Sequence, residues 1–351
     1  MNSAIKIGDR TISLNSPPFV IAEMSGNHNR SLDRGLELIE AAAYAGAHSV
    51  KLQTYTADTM TIDATGDGFT VADPASPWHG RSLYDLYEEA HTPWEWHEPL
   101  INRCRELDLL PISTPFDETA VEFLEQFDLP AYKVASFENT DLTLIRRIAS
   151  TGKPMIISAG MATIVELGRT VQEARSAGCN KLILLKCTSS YPADPVSSNL
   201  VTIPHMRELF HSEVGVSDHT LGIGAAIASV ALGATMIEKH FTLSRADGGV
   251  DSHFSLEPDE MASLVTESEC AWKSLGQVTY EPTEQEETSL VFRRSLYFVR
   301  DLEEGETITT QHIRRIRPGH GIAPRYEDMI IGRKVITAVT RGSPVSWDLL
   351  R

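Results

Sequence analysis

Val214-Gly-Val-Ser-Asp-His-Thr220 and, a little further on, Met236-Ile-Glu-Lys-His-Phe-Thr242 decide how this chain is read. Each is a short apolar or β-branched run that stops on a histidine among polar residues, the pattern of a buried strand. Between them, Leu221-Gly-Ile-Gly224 reads as a turn and residues 225–233 as a small-residue helix. The two strands are therefore expected to be parallel neighbours joined by a right-handed crossover. That geometry brings His219 and His240 to one edge of one sheet, where a divalent metal could bridge them.

The same unit recurs upstream. Apolar strands with polar ends are expected at 19–25, 49–55, 109–116, 131–138, 154–161, 182–189, 214–220 and 236–243. Helical patterns separate most of them, at 31–45, 94–107, 117–127, 141–150 and 163–177, with 257–275 after the last strand. Eight strand-helix units predict an α/β fold, a (β/α)₈ TIM barrel, with an open doubly wound sheet as the rival. No G-x-G-x-x-G follows the first strand, which argues against a dinucleotide site. The run Ile5–Leu14, two alternating segments around Gly8-Asp9, predicts a hairpin that plugs one end of the barrel. Residues 56–90 form a long insertion rich in Gly, Pro and Asp with an aromatic tail, and insertions of that length are usually functional or mobile. After Gly276 the composition turns polar and acidic, so 1–276 is read as hairpin plus barrel, 277–288 as a linker and 289–351 as a small β-rich domain. A loose repeat at an offset of 37 residues within it suggests two similar halves.

Bulk properties narrow the partners. A net charge of −17 argues against nucleic acid or an anionic membrane. The N-terminus lacks the apolar core of a signal peptide and no stretch is apolar enough to span a bilayer, so the cytoplasm is the expected location. The four cysteines show no C-x-x-C spacing and are read as reduced and structural.

Catalytic groups of a barrel gather at the C-terminal ends of its strands. Those ends offer Glu23, Lys51 with Gln53, Thr114, Lys133 with Ser136, Ser158, Ser189, Ser217 with His219, and Glu238 with His240. Residues two apart share a face, so Lys51 with Gln53, Ser217 with His219 and Glu238 with His240 can all point into the mouth. Two lysines and several hydroxyls suit a small dianion such as a phosphate carrying a carboxylate. Two neutral histidines without thiolates suit Mn²⁺ or Zn²⁺, left open to water and substrate and able to polarise a carbonyl or activate water.

Seven ordered motifs carry a family resemblance: Ile21-Ala-Glu-Met-Ser-Gly-Asn-His-Asn29, Lys51-Leu-Gln53, Ser113-Thr-Pro-Phe116, Tyr132-Lys-Val-Ala-Ser136, Ile157-Ser-Ala-Gly-Met161, Ser217-Asp-His-Thr220 and Glu238-Lys-His-Phe-Thr242. Together they resemble the sialic acid (nonulosonate) synthases over nearly the whole chain, and the C-terminal part resembles their antifreeze-like (SAF) domain. Gly80-Arg-Ser-Leu-Tyr-Asp-Leu-Tyr87 and Ser136-Phe-Glu-Asn-Thr140, among others, are similar to the pseudaminic acid synthase branch. In the N-acetylneuraminate branch an asparagine that helps hold phosphate usually stands where this chain has Ser189.

The resemblance implies a condensation of phosphoenolpyruvate with the open-chain aldehyde of a 2,4-diacetamido-2,4,6-trideoxy sugar. It makes His219 and His240 the ligands of Mn²⁺, with Mg²⁺ or Co²⁺ as substitutes. Lys133, Ser136, Ser158, Ser217 and Ser189 would hold phosphate; Lys51, Gln53 and Thr114 would surround the carboxylate and reacting carbons; Glu23 would act in proton transfer or orient water. Asp251 would contact the sugar, Tyr191 would line its site, and Arg317 would reach it from a second copy in a domain-swapped homodimer. N-acetylneuraminate or legionaminic acid synthesis is the alternative within the family. Outside it stand a Schiff-base aldolase using Lys133 or Lys186 and a carbohydrate- or ice-binding module on an inert barrel.

Overall fold

Inward side chains explain why this chain closes a barrel. In a computed structural model that describes residues 4–74 and 76–351, eight strands run in chain order around a closed parallel sheet. They are β3 (Phe19–Glu23), β4 (Ser49–Thr54), β5 (Leu110–Pro115), β6 (Tyr132–Val134), β7 (Met155–Ser158), β8 (Leu182–Cys187), β9 (Glu213–Asp218) and β10 (Met236–His240). β10 pairs with β3 in register, His240 opposite Glu23 and Met236 opposite Phe19, which closes the ring. The open doubly wound alternative is thereby excluded. The first three residues and position 75, which fall in the expected barrel domain and its insertion, lie outside the described residues.

The interior is layered by polarity. One end is filled by Phe19, Ile21, Ile112, Ile156, Ile183 and Met236. Against that layer packs the antiparallel hairpin of β1 (Ile5–Ile7) and β2 (Arg10–Ile12), whose three isoleucines join the same cluster. Burial of each such side chain stabilises the fold by roughly 1.5–3 kcal/mol. The other end of the barrel holds the polar residues. Outward-facing apolar residues such as Val20, Val50, Leu52 and Leu184 pack under the surrounding helices. Those helices start where the sequence supplies caps: Ser31 accepts from Arg34 N–H, and Thr163 and Glu166 form a reciprocal box at helix Ile164–Ser176.

One expectation needs correction, and two stretches given no assignment hold helices. The strand expected at 131–138 ends at Val134, because Glu138 N–H returns to the Ala135 carbonyl at 3.2 Å and the chain turns. Ser136 therefore sits in a turn. The aromatic tail of the insertion is a helix, Leu83–Ala90, capped by Ser82. A further helix, Thr202–Phe210, lies between β8 and β9.

The chain divides into two compact units, Met1–Gly276 and Gln277–Arg351. The second has its own core around Leu296, Phe298, Ile308, Ile330, Val335 and Val345. Its β11 (Ser295–Phe298) and β12 (Ile313–Ile316) pair antiparallel, and isolated bridges such as Leu302 to Val339 complete a β-rich fold. Among the described residues no helix is long and apolar enough to cross a membrane.

Candidate active site

A cavity of about 360 Å³ opens at the polar end of the barrel. It is lined by Glu23, Lys51, Gln53, Lys133, Ser136, Ser158, Ser189, Tyr191, Ser217, His219, His240 and Asp251, so twelve expected residues converge on one space. Thr114 stands behind Lys51, whose ammonium donates to its hydroxyl at 3.1 Å. Arg317 is exposed on the second unit, after β12. Lys186 has the opposite parity to Cys187 on β8 and its ammonium donates to the Cys187 carbonyl, so of the two lysines offered for a Schiff base only Lys133 lies in the cavity.

The floor is a network of four buried charges. Lys51 Nζ lies 2.6 Å from Glu23 Oε2 and 3.9 Å from Glu238 Oε1, and Lys133 Nζ is 3.9 Å from the same Glu238 oxygen. Ser217 donates to Glu238 Oε1 at 3.0 Å and Gln53 to Glu23 Oε1 at 2.8 Å. Burial pushes the Glu23 carboxyl toward its neutral form, against the pull of Lys51. Burial acts on Glu238 too, but Lys133 and Lys51 together outweigh it and hold that carboxyl low. Lys133 is lowered by burial, which Glu238 only partly offsets. The division of labour is physical: Glu238, between two ammoniums, keeps its charge, while Glu23 is poised to carry a proton.

With both carboxylates ionised the four charges cancel. The sequence reading took the two lysines as a cationic pocket and gave Glu238 no role, although its parity with His240 placed it inside. Other groups that it missed are Cys187, whose thiol is 4.0 Å from His219 Nδ1, and Glu138, half-buried beside the cavity and pushed up to about 7 by burial. No periodic signal marked Glu138, because it belongs to the turn after β6.

The hydroxyl side depends on a glycine. Gly160 has φ +49°, and a Cβ there would collide with the Ser136 side chain and lie 3.0 Å from Ser189 Oγ. Its absence lets Ser189 donate to Ser136 at 2.8 Å. Ser158 Oγ, Glu238 Oε2 and His240 Nδ1 are buried and make no hydrogen bond, leaving three polar atoms for a bound molecule to satisfy.

The two imidazoles stand 5.4 Å apart, centroid to centroid. His219 Nδ1 lies 2.9 Å from the Thr188 carbonyl, an acceptor that fixes the proton on that nitrogen and leaves Nε2 its lone pair. Burial, reinforced by His219 and Lys51, holds His240 neutral. Asp251, raised to about 6 by burial, has Oδ2 3.7 Å from His240 Nδ1. Among the described residues no group of three or more His, Cys, Asp or Glu is disposed to hold a metal. Burial opposes a charge on His219, but Cys187, the Thr188 carbonyl and Glu238 raise that imidazole instead. Two imidazoles with no third protein ligand fit a cation that takes its remaining ligands from water and substrate, and not a structural zinc.

Fold and site together define a (β/α)₈-barrel enzyme that gathers charged and hydroxylic groups at the strand ends. Residues 38–280 match the NeuB family and residues 293–351 the SAF domain. The pseudaminic acid synthase of Campylobacter jejuni is 40% identical over 316 residues, 90% of this chain and 92% of its own. That of Helicobacter pylori is 38% identical over 335 residues, covering 95% and 97%. The crystal structure of the N-acetylneuraminic acid synthetase of Leptospira borgpetersenii matches with a TM-score of 0.73 and 31% identity, covering 83% of this chain and 96% of that one. The chain belongs to the NeuB family and is a phosphoenolpyruvate-dependent nonulosonic acid synthase.

Proposed function

We propose that the protein is a pseudaminic acid synthase, joining phosphoenolpyruvate to the open-chain aldehyde of 2,4-diacetamido-2,4,6-trideoxy-L-altrose with water, to give pseudaminic acid and phosphate. The sugar is supported by the likeness to two pseudaminic acid synthases over at least 90% of the chain. The chemistry rests on one observation: two lysines, two carboxylates and two imidazoles share the floor of one cavity.

In this reading Lys133, Ser136, Ser158 and Ser217 hold the phosphate, and Ser189 braces Ser136. Lys51, Gln53 and Thr114 surround the carboxylate and the reacting carbons. The enol carbon forms the new bond to the aldehyde carbon, and Glu23 donates a proton to the aldehyde oxygen. Water adds to the electron-poor carbon left behind and returns a proton to Glu23. The tetrahedral adduct then collapses to the ketone as its C–O bond to phosphate breaks. Asp251 and Tyr191 contact the sugar. His219 and His240 would hold Mn²⁺, with Mg²⁺ or Co²⁺ as substitutes; such an ion supplies Lewis acidity toward the aldehyde carbonyl. Because the protein's own floor charges cancel, a bound cation and a protonated Glu23 supply the positive balance that an anionic substrate needs.

The same proposal includes a homodimer in which Arg317 of one copy reaches the sugar in the other. Phosphate release from the purified protein tests the assignment. Exhaustive EDTA treatment should abolish it and Mn²⁺ restore it, and activity untouched by chelation rejects the metal role. Turnover of N-acetylmannosamine or a legionaminate precursor in place of the L-altrose sugar assigns the enzyme to another branch.

A further inference from the structure

The cavity has two unlike sides. Apart from the charged floor there is a wall built by the insertion 56–90, which contributes Met60, Val71, Trp78, Leu83, Leu86 and Ala90, with Tyr87 at its end. None of these side chains is charged; the Tyr87 hydroxyl is one hydrogen-bonding group among them, and the other, the Trp78 indole, is already engaged. Trp78 Nε1–H donates to the Val250 carbonyl at 2.8 Å, next to Asp251 in sequence. The indole also packs 5.8 Å from the Tyr191 ring, which in turn lies 4.5 Å from the His219 ring. Within the insertion, Val71 N–H donates to the Arg81 carbonyl at 2.9 Å and Gly80 N–H to the Val71 carbonyl at 2.8 Å, so Val71 and Trp78 are held by a short ladder. One tryptophan thus ties the apolar wall to the segment that carries Asp251 and, through the Tyr191 ring, to the histidine edge.

We propose that this wall selects the sugar by its methyl groups. It takes an acceptor in which hydroxyls are replaced by an acyl methyl or a deoxy carbon, and it disfavours one that presents free hydroxyls at those places. A hydroxyl pressed against Met60, Val71 and Leu83 loses its water and gains no partner, whereas a methyl sheds water favourably. The proposal rests on the reading of the site as one that condenses phosphoenolpyruvate with an open-chain sugar, and it makes Val71 and Trp78 determinants of which sugar.

The test compares phosphate release with 2,4-diacetamido-2,4,6-trideoxy-L-altrose and with N-acetylmannosamine, which keeps hydroxyls at C4 and C6, using the full chain at saturating phosphoenolpyruvate. Wild type should favour the diacetamido sugar. Val71→Thr keeps the shape and adds a hydroxyl; it should raise KM for that sugar roughly tenfold and leave KM for phosphoenolpyruvate within about twofold. Trp78→Phe keeps an aromatic ring, loses the N–H clip and should narrow the preference between the two sugars. Thermal unfolding of both variants verifies that they fold. Folded variants with unchanged sugar preference, or with both KM values raised alike, overturn the wall as selector while a wild type active on the diacetamido sugar keeps the functional assignment. A wild type that uses N-acetylmannosamine equally well overturns the wall and the pseudaminic assignment together.

Discussion

Two lysines are buried within reach of one carboxylate, and a second carboxylate pairs with only one of them. Glu238 serves both Lys51 and Lys133 and keeps its charge for that reason, whereas Glu23 has Lys51 alone. Removing the charge of Glu238 leaves two ammoniums to share one partner that burial already pushes toward neutrality. Glu238→Gln should therefore cost about 3 kcal/mol of stability, read as a lower urea midpoint, because an uncompensated buried charge outweighs the lost attraction. An unchanged midpoint would mean that Lys133 is neutral in the folded protein. At this scale the sequence was informative about direction and poor about partners. Residues two apart share a face, so Lys51, Gln53, Ser217, His219, Glu238 and His240 could be placed inside together. Which amine met which carboxylate could not be read, since cross-strand register depends on the closed ring. Lys239 shows the point: one residue from His240, it faces outward and is buried in an ion pair with Asp218 at 2.7 Å.

Strands were the most legible elements, because a parallel strand buried on both faces is an apolar run with a polar end. The insertion was not. Helix Leu83–Ala90 is a short segment whose burial depends on neighbours distant in sequence, Tyr87 meeting Tyr55 at 5.9 Å. The turn after β6 was equally hidden, since Ala-Ser-Phe-Glu at 135–138 continues the strand by propensity until Glu138 N–H finds the Ala135 carbonyl. Where helix His97–Glu106 packs on the barrel, the structure adds a titration that no pattern foretold. His97 Nε2 is 2.7 Å from the Thr54 hydroxyl, and His28 Nε2 is 3.4 Å from that of Thr92. Burial lowers both imidazoles from 6.5 to about 4. Their folded pKa is depressed, so the neutral form is the stable one. Stability is complete above pH 6.5 and is lost as pH falls toward 4, by up to about 3 kcal/mol for each imidazole. Urea unfolding across that window should show the decline, and His97→Gln should make it shallower, with the His28 share left in place; a profile as steep in the variant would show that His97 does not contribute.

At the scale of the whole molecule, the proposed homodimer makes a prediction about Arg317. Arg317 is exposed in the second unit, whereas the imidazoles and lysines belong to the first. If each site takes its barrel from one copy and Arg317 from the other, His240→Ala and Arg317→Ala chains should each be inactive alone yet complement each other. In a mixed dimer one site then carries both lesions and the other carries neither. Two chains that exchange freely in equal amounts give mixed dimers as half the population, so activity should return to about a quarter of wild type. If Arg317 acts within its own chain, every site in every dimer keeps one lesion and no activity returns. The readout is phosphate release before and after subunit exchange, with sedimentation to verify that dimers form. Each single variant must fold, since a chain that cannot dimerise would also fail to complement. Restoration near a quarter supports exchange of the second unit between copies, and its absence in dimers shown to have mixed refutes it.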